Sequence, residues 1–223
     1  MSKAGTYIAN ILSTVFHPLL IIMYTLMCFL AVNPYLFPYR NGKEFGAIMI
    51  IVFFTAVAIP FVAILLMYST GLIKSLHMKE RTDRIGPLIC TSIAYLWLFL
   101  NIRTHNAIPP IFSSFVLGAI IALFLAFFIN NFSKVSLHAL ALGGFFFAFL
   151  NLILAYGRPY TIIHLGGDVS YSVHNILLLV LVLLIIGAVL SSRLFLKAHR
   201  SEDIWGGFLI GLFSQIISVL YFF

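Results

Sequence analysis

Four residues near the C-terminal end of the chain have the types and spacing of a phosphate-handling site: Ser192, Arg193, His199 and Asp203. If this stretch is helical, Asp203 lies one turn after His199, where its carboxylate can hold one imidazole nitrogen as N–H and leave the other nucleophilic. Arg193 would supply a planar, permanently charged fork for the non-bridging oxygens of a phosphate. Ionisable groups are costly beside long apolar segments, so we expect this cluster to be functional.

The composition indicates a protein that crosses a membrane several times. Of the 223 residues, 62% are hydrophobic and 9% are charged, and the mean hydropathy is +1.12, which excludes a soluble globular domain. The net charge of +7 comes from basic residues in short loops, which suits lipid phosphates and headgroups rather than nucleic acid. Cys28 and Cys90 fall within apolar runs and suit packing better than a disulfide or a metal site.

Runs long enough to cross about 30 Å of hydrocarbon predict an all-α fold, a polytopic bundle of about seven transmembrane helices in a single domain, residues 1–223. The first run is too long for the core of a signal peptide, so we expect it to be retained. His17-Pro18 within it predicts a kink, or a split between an interfacial segment and a span. The runs are residues 7–32, 46–70, 88–102, 109–130, 138–156, 173–190 and 204–223.

Helices that alternate in direction return every second loop to the same side of the membrane. The loops after the second, fourth and sixth helices would therefore share a face with the N-terminus. Most of the ionisable residues lie in these loops, so we expect the site at this interface. They are Lys74, His77, Lys79, Glu80, Arg81, Asp83 and Arg84, then Lys134, Ser136 and His138, then Arg193, Lys197, His199, Arg200, Glu202 and Asp203.

The side of the membrane that this face meets stays open. Nine of the thirteen Lys and Arg residues lie on it, which by the positive-inside rule puts the site in the cytoplasm. Without Lys79, Arg84 and Arg193, whose charges we expect the site itself to use, the count is six against four. Four other basic residues need no role beyond orientation: Lys74, Lys134, Lys197 and Arg200.

Three stretches together resemble the integral-membrane branch of the phosphatidic acid phosphatase type 2 superfamily. The pattern of that family is Lys-x6-Arg-Pro, then Pro-Ser-Gly-His, then Ser-Arg-x5-His-x3-Asp. The third motif is matched in full by Ser192, Arg193, His199 and Asp203. Three glycines that follow also resemble the small-residue helix of the family, and small residues let membrane helices approach closely. They are Gly206, Gly207 and Gly211.

The first and second motifs are matched in part. Ser136 and His138 keep two positions of the second motif, with Val in place of Pro and Leu in place of Gly. For the first motif, Lys79 and Arg84 are followed by Pro87, but their spacing differs slightly from the family pattern. The alternative, Arg81, has the right spacing from Lys74 but no Pro directly after it. We take Lys79 and Arg84, with Arg81 as the competitor. The resemblance covers about residues 74–211.

The resemblance implies a membrane lipid phosphatase that works without metal or other cofactor. His199 would be the nucleophile and form a phosphohistidine, Asp203 would orient it, and His138 would protonate the leaving group. Positive charge around a loose transition state is the main requirement of phosphoryl transfer. The groups that would hold the phosphate oxygens are Lys79, Arg84 or Arg81, Arg193 and Ser136.

Other interpretations remain open. Ser136 could be a helix N-cap beside an interfacial histidine. A lipid-phosphate transporter or flippase would use the same cations without turnover, and needs no oriented nucleophile such as His199 beside Asp203. An inactive relative could bind a phospholipid or a protein. For the phosphatase, the expected location is the bacterial cytoplasmic membrane. The expected partners are membrane lipids and a lipid phosphate substrate. Candidate substrates are phosphatidate, phosphatidylglycerophosphate, a polyprenyl diphosphate and a lipid A-type phosphate.

Overall fold

Apolar runs that end near Pro, Gly or Asn form the helices of this protein. Its structure, a computed structural model, describes residues 3–38, 42–78, 80–156, 159–164 and 170–223. Short 3-10 segments (Pro34–Leu36, Thr82–Arg84) and π-helical segments (Phe54–Ala58, Leu152–Tyr156) adjoin the longer helices. The α-helices and strands are α1 (Lys3–Val15), α2 (Pro18–Val32), α3 (Gly42–Phe53), α4 (Ile59–Ser69), α5 (Ile85–Ile102), α6 (Pro110–Asn130), α7 (Leu137–Asn151), β1 (Tyr160–His164), β2 (Ser170–His174), α8 (Asn175–Phe195) and α9 (Ser201–Phe222).

Six helical segments of the described chain are long and apolar enough to cross a membrane. This confirms a helical bundle of the membrane-spanning kind. The first predicted span is instead two helices, α1 and α2, whose axes differ by 65°, so the number is six, or seven if the bent pair counts as one span. The six are Lys43–Ser69, Thr82–Ile102, Pro110–Asn130, Leu137–Tyr156, Asn175–Phe195 and Ser201–Phe222.

The break between α1 and α2 lies at His17 and Pro18, as the sequence predicts. Pro18 has no N–H to continue α1, and the first position of a helix is where proline is best tolerated. His17 caps α2, since its Nδ1 accepts a hydrogen bond from the backbone N–H of Leu19 at 3.3 Å. α2 then runs alongside α7, and its far end is tied to the end of that span by Asn33, which donates to the carbonyl of Tyr156 at 2.7 Å.

Two local features differ from the sequence prediction. The third span begins at Thr82 rather than at residue 88, because Pro87 lies within the first turn of α5, where proline is tolerated. Between α7 and α8 the chain forms an antiparallel hairpin, in which Tyr160 of β1 is opposite His174 of β2. The hairpin is a small β addition to an otherwise helical fold.

The core lies where α2, α5, α6 and α7 meet. Its large side chains are fully buried, as at Leu26, Phe29, Leu98, Phe112 and Leu142. α8 is more peripheral, since only 28% of its span is buried. In a membrane, its exposed apolar side chains would face lipid chains.

Glycines bring α7 and α9 into backbone contact. A Cβ at Gly207 would lie 2.6 Å from the carbonyl oxygen of Ser136, and a Cβ at Gly211 would overlap the carbonyl oxygen of Leu140. Gly206 makes no such approach. The close packing of small residues fixes how these two helices sit against each other, and it sets the first residues of α7 beside the first residues of α9.

Candidate functional site

Five of the predicted site residues, Arg84, His138, Arg193, His199 and Asp203, lie at one end of the bundle, where α5, α7 and α9 begin and α8 ends. Arg84 directly precedes α5, His138 is the second residue of α7, Arg193 is in the last turn of α8, and Asp203 is in the first turn of α9. The backbone N–H of Ser136 donates to the carbonyl of Asp203 at 3.1 Å. The loops after the second, fourth and sixth runs therefore converge, as the sequence predicts.

Four of the predicted side chains line one cavity of about 180 Å³: Arg84, His138, Arg193 and His199. Two guanidinium groups and two imidazoles thus share one end of it. Most of the remaining wall is apolar. Positive charge concentrated in a confined, mostly apolar space is suited to an anionic group such as a phosphate.

Arg84 is held by backbone carbonyls. Its Nη1 donates to the carbonyl of Val135 at 2.7 Å, and its Nε donates to the carbonyl of Met78 at 3.2 Å. Arg84 is 6% exposed, and among the described residues its hydrogen bonds go to carbonyls and not to a carboxylate. Its guanidinium is therefore fixed in place while its positive charge stays available to a ligand.

His199 and Asp203 are neighbours, although not through one turn of helix. α9 begins at Ser201, so His199 lies in the turn that precedes it. The Nδ1 of His199 is 3.6 Å from the Oδ2 of Asp203, and the two side chains are 4% and 7% exposed. This distance is too long for a hydrogen bond, and the same Oδ2 accepts the backbone N–H of Arg200 at 3.0 Å. Catalytic hydrogen bonds are often long before a ligand binds.

Burial and neighbouring charges lower the pKa of His199 from its ordinary value of 6.5 to about 4. Desolvation is the largest cause, followed by the positive charges of Arg84, Arg193 and Lys134, and the carboxylate of Asp203 opposes them. The ring is therefore uncharged at neutral pH and keeps a lone pair with which it can attack.

Arg193 is held by a residue of α1. Its Nη1 donates to the Oγ of Ser13 at 3.0 Å, and that Oγ lies 3.2 Å from the Oγ of Ser192. The Nε of Arg193 is buried and has no hydrogen-bond partner among the described residues. A buried N–H without an acceptor is destabilising, so an anion bound in the cavity would satisfy it.

Ser13 also fixes the ring of His138. The Nε2 of His138 lies 3.0 Å from the carbonyl oxygen of Ser13. Because a carbonyl only accepts hydrogen bonds, Nε2 must carry a hydrogen, and the Nδ1 of the neutral ring is then unprotonated. For His138 to act as an acid it must be doubly protonated, with the Ser13 carbonyl stabilising the cation. The ring of His17 lies 6.0 Å from that of His138, between centroids.

Three residues of this region were not predicted from the sequence: Ser13, His17 and Gln215. His17 and Gln215 line the cavity. The signal for Ser13 and Gln215 is weak, because an uncharged polar residue in an apolar helix is common. Gln215 is nevertheless only 2% exposed within a spanning helix, and an amide at such a position usually has a structural or functional partner. His17 was interpreted as part of a kink, which it is, and it faces the cavity as well.

Other predicted residues lie elsewhere. Arg81 does not line the cavity, and its Nη1 donates to the carbonyls of Asn131 at 3.1 Å and Phe132 at 2.8 Å. Ser136 caps α7, since its Oγ accepts the backbone N–H three residues later at 3.4 Å, which is the alternative that the sequence left open. Lys79 lies outside the described residues.

A second, more open cavity lies on the other side of His199. It is lined by Lys134, Lys197, Arg200 and Asp203, and His199 lines both cavities. The basic side chains around this opening would attract anions from solution. His199 thus stands between an outer basic opening and the inner cavity.

Within the described residues, no group of three or more His, Cys, Asp or Glu side chains could hold a metal ion. The positive charge near His199 comes from Arg and Lys side chains. Comparison with family models, curated proteins and solved structures found no match to this chain.

Proposed function

We propose that this protein is a membrane lipid phosphatase, which releases inorganic phosphate from a lipid-linked phosphomonoester or diphosphate. The observation that carries the proposal is the cavity in which Arg84, Arg193, His138 and His199 meet, with Asp203 beside His199. Phosphoryl transfer requires positioning and positive charge around the transferring group more than it requires covalent chemistry from the protein. This end of the cavity offers both.

In the proposed reaction, His199 attacks phosphorus. Asp203, near Nδ1, favours the tautomer with the proton on Nδ1, so Nε2 is the attacking atom. The new bond is N–P and the broken bond is P–O. His138 takes up a second proton on Nδ1 when the substrate binds, and gives this proton to the leaving oxygen. Water, deprotonated by His138, then cleaves the phosphohistidine and restores both histidines. Arg84 and Arg193 hold the phosphate oxygens.

The test is release of inorganic phosphate by the purified protein, reconstituted in nanodiscs, from a panel of lipid phosphates and diphosphates. We expect hydrolysis to persist after chelation of divalent ions. We also expect vanadate to inhibit it, because vanadate adopts the five-coordinate geometry of the transferring group. Binding or translocation of the same lipids without any release of phosphate would contradict the proposal and would favour a carrier. The bacterial cytoplasmic membrane as its location is part of this proposal.

Activity is expected to persist as the pH falls below 6.5, the ordinary pKa of imidazole. The lowered pKa of His199, about 4, keeps the nucleophile neutral until the pH approaches that value, so the acid limb of kcat/KM should lie nearer 4 than 6.5. The second pKa of a phosphate monoester, about 6, also falls in this range. The measurement is therefore a comparison of the pH profiles of kcat/KM for two proteins, the wild type and a variant, on one substrate.

The comparison uses Lys134→Gln. Lys134 is one of the charges that lower the pKa of His199, and it does not line the inner cavity. Its loss should raise the pKa of His199 and move the acid limb upward, while the titration of the substrate stays the same. An acid limb that is identical in the two proteins would show that His199 does not control it.

Ser13→Ala is expected to weaken substrate binding more than turnover. The change removes the acceptor that holds the Nη1 of Arg193 and leaves the backbone carbonyl that fixes His138. Because a hydrogen bond to a charged group contributes about 1.5–3 kcal/mol, KM should rise by roughly tenfold or more while kcat changes less. Steady-state kinetics measure the split, with the exposed Ser69→Ala as the matched control. An unchanged KM would exclude a positioning role for Ser13.

A further inference from the structure

The inner cavity is long and narrow. Both His199 and Gln215 line it. His199 lies just before α9, whose first residue is Ser201, and Gln215 lies fourteen residues after Ser201 in the same helix. At 1.5 Å per residue this separation is about 21 Å along the helix axis. A volume of about 180 Å³ over such a length leaves little width. The cavity therefore extends from the charged end deep into the bundle.

Beyond the charged end, the wall is apolar and partly built from small side chains. α5, α6, α7 and α9 contribute to it, with Ala119, Ala122 and Ala141 among the lining residues. A Cβ at Gly144 would meet the Nε2 of Gln215 at 3.5 Å, an ordinary contact, so this position has room for one methyl group. Small residues here keep a channel open through an otherwise packed bundle.

The amide nitrogen of Gln215 at the deep end already has a hydrogen-bond partner within the protein. The Nε2 of Gln215 donates to the carbonyl of Phe115 at 3.0 Å. A mostly apolar cavity of this kind holds water poorly and takes apolar groups well. The inner part of the cavity is thus suited to hydrocarbon, whereas the outer part is suited to phosphate.

We infer that the inner cavity binds one hydrocarbon chain of the substrate, and that the substrate class is a single-chain lipid phosphate or diphosphate rather than a two-chain lipid. The inference rests on the proposed function. The charged and apolar parts belong to one cavity, as the headgroup and tail of one molecule require. A cavity of about 180 Å³ that extends over about 21 Å is narrow, which favours one chain over two chains side by side.

The experiment measures phosphate release by the protein in nanodiscs from n-alkyl phosphates of increasing length, lysophosphatidate, farnesyl diphosphate and dioleoyl phosphatidate. Phenyl phosphate serves as the probe without a chain. We expect kcat/KM to rise roughly two- to fourfold per methylene group until the cavity is full. Lysophosphatidate and farnesyl diphosphate should both have a higher kcat/KM than dioleoyl phosphatidate. Comparing the n-alkyl phosphates with farnesyl diphosphate distinguishes a site for a straight chain from a site for an isoprenoid chain. Preference for phosphatidate, or no dependence on chain length, would overturn the inference.

Ala119→Leu fills the cavity from α6 and tests the same point from the protein. It should lower kcat/KM for hexadecyl phosphate by about tenfold, which is equivalent to displacing about two methylene groups. The kcat/KM for phenyl phosphate should stay unchanged. Ala188→Leu, which adds the same volume on the exposed face of α8, is the matched control. If Ala119→Leu does not fold, Gly144→Ala adds a single methyl at the deep end without a clash. An equal loss on both substrates would mean that the change acts on the fold and not on a chain site.

A binding measurement separates failure of this inference from failure of the proposed function. A non-hydrolysable hexadecyl phosphonate with a diazirine at the chain end should cross-link near Phe115 and Gln215. Cross-links confined to exposed helix faces would overturn the chain site even if the protein hydrolyses phenyl phosphate. Cross-links at the deep end with no hydrolysis of any substrate would retain the chain site and reject the phosphatase.

Discussion

Replacing His199 by alanine is expected to abolish phosphate release, because the substitution removes the atom that attacks phosphorus. In enzymes where a covalent nucleophile has been removed by mutation, kcat falls by several orders of magnitude. We therefore expect kcat to fall by at least about a thousandfold. Arg193→Ala should also lower turnover strongly. Its buried Nε has no hydrogen-bond partner in the part of the chain that the structure describes, and it would stabilise charge on the transferring group. The measurement is phosphate release, with phosphohistidine trapped in the wild type by an alkaline quench, because its P–N bond is hydrolysed in acid.

Two controls give this result its meaning. Asp203→Asn should be milder than His199→Ala, because it disturbs orientation and charge without removing the attacking atom. His105→Ala alters an exposed histidine outside the site and should retain full activity. The variants must unfold at temperatures close to that of the wild type in the same detergent. Substantial phosphate release by a folded His199→Ala protein would reject the phosphohistidine mechanism.

Adding a methyl group at Gly211 is expected to destabilise the bundle. The new Cβ would overlap the carbonyl oxygen of Leu140 and lie 2.9 Å from the backbone nitrogen of Gly144. Backbone atoms cannot rotate away as a side chain can, so α7 and α9 must move apart. Overpacking of this kind costs about 1–3 kcal/mol or more. The midpoint of thermal unfolding should fall, and activity should fall with it, because Ser136 of the α7 cap and Asp203 of α9 would separate.

Gly206→Ala is the matched control for Gly211→Ala. The two glycines lie on the same helix, and a Cβ at Gly206 would meet nothing within 4 Å. Alanine also has a higher helix propensity than glycine by about 1 kcal/mol, so Gly206→Ala should be neutral or slightly stabilising. Equal unfolding temperatures for the two variants would show that the close contact of α7 and α9 does not control stability.

The spans could be predicted from the sequence because a long apolar segment in a membrane has few alternatives to a helix. The break at His17-Pro18 was also predictable, since proline cannot continue α1. The start of the third span was predicted too late, because its first turn contains Pro87 and the charged residues before it. The hairpin of β1 and β2 was not predicted, as its strands are short and lie between turn-forming residues.

The candidate site was predictable where its residues are close in sequence. Arg193, His199 and Asp203 lie within eleven positions, so local spacing alone is informative about their relative placement. Ser13 and Gln215 reach the site only through the packing of helices that are distant in sequence. Their uncharged side chains give no local signal of this. Whether Arg81 or Arg84 faces the cavity likewise depended on the path of the loop, and Arg84 does.

Ser13 joins parts of the chain that are made at very different times. It precedes His138 by 125 residues and Arg193 by 180 residues, and it contacts both. During synthesis α1 emerges first, whereas its partner in α8 emerges near the end. The ring of His138 and the guanidinium of Arg193 can take their final positions only after α8 has inserted and α1 has docked against it. A half-made chain therefore carries an incomplete site, and the cavity that we propose to bind phosphate is completed late in assembly.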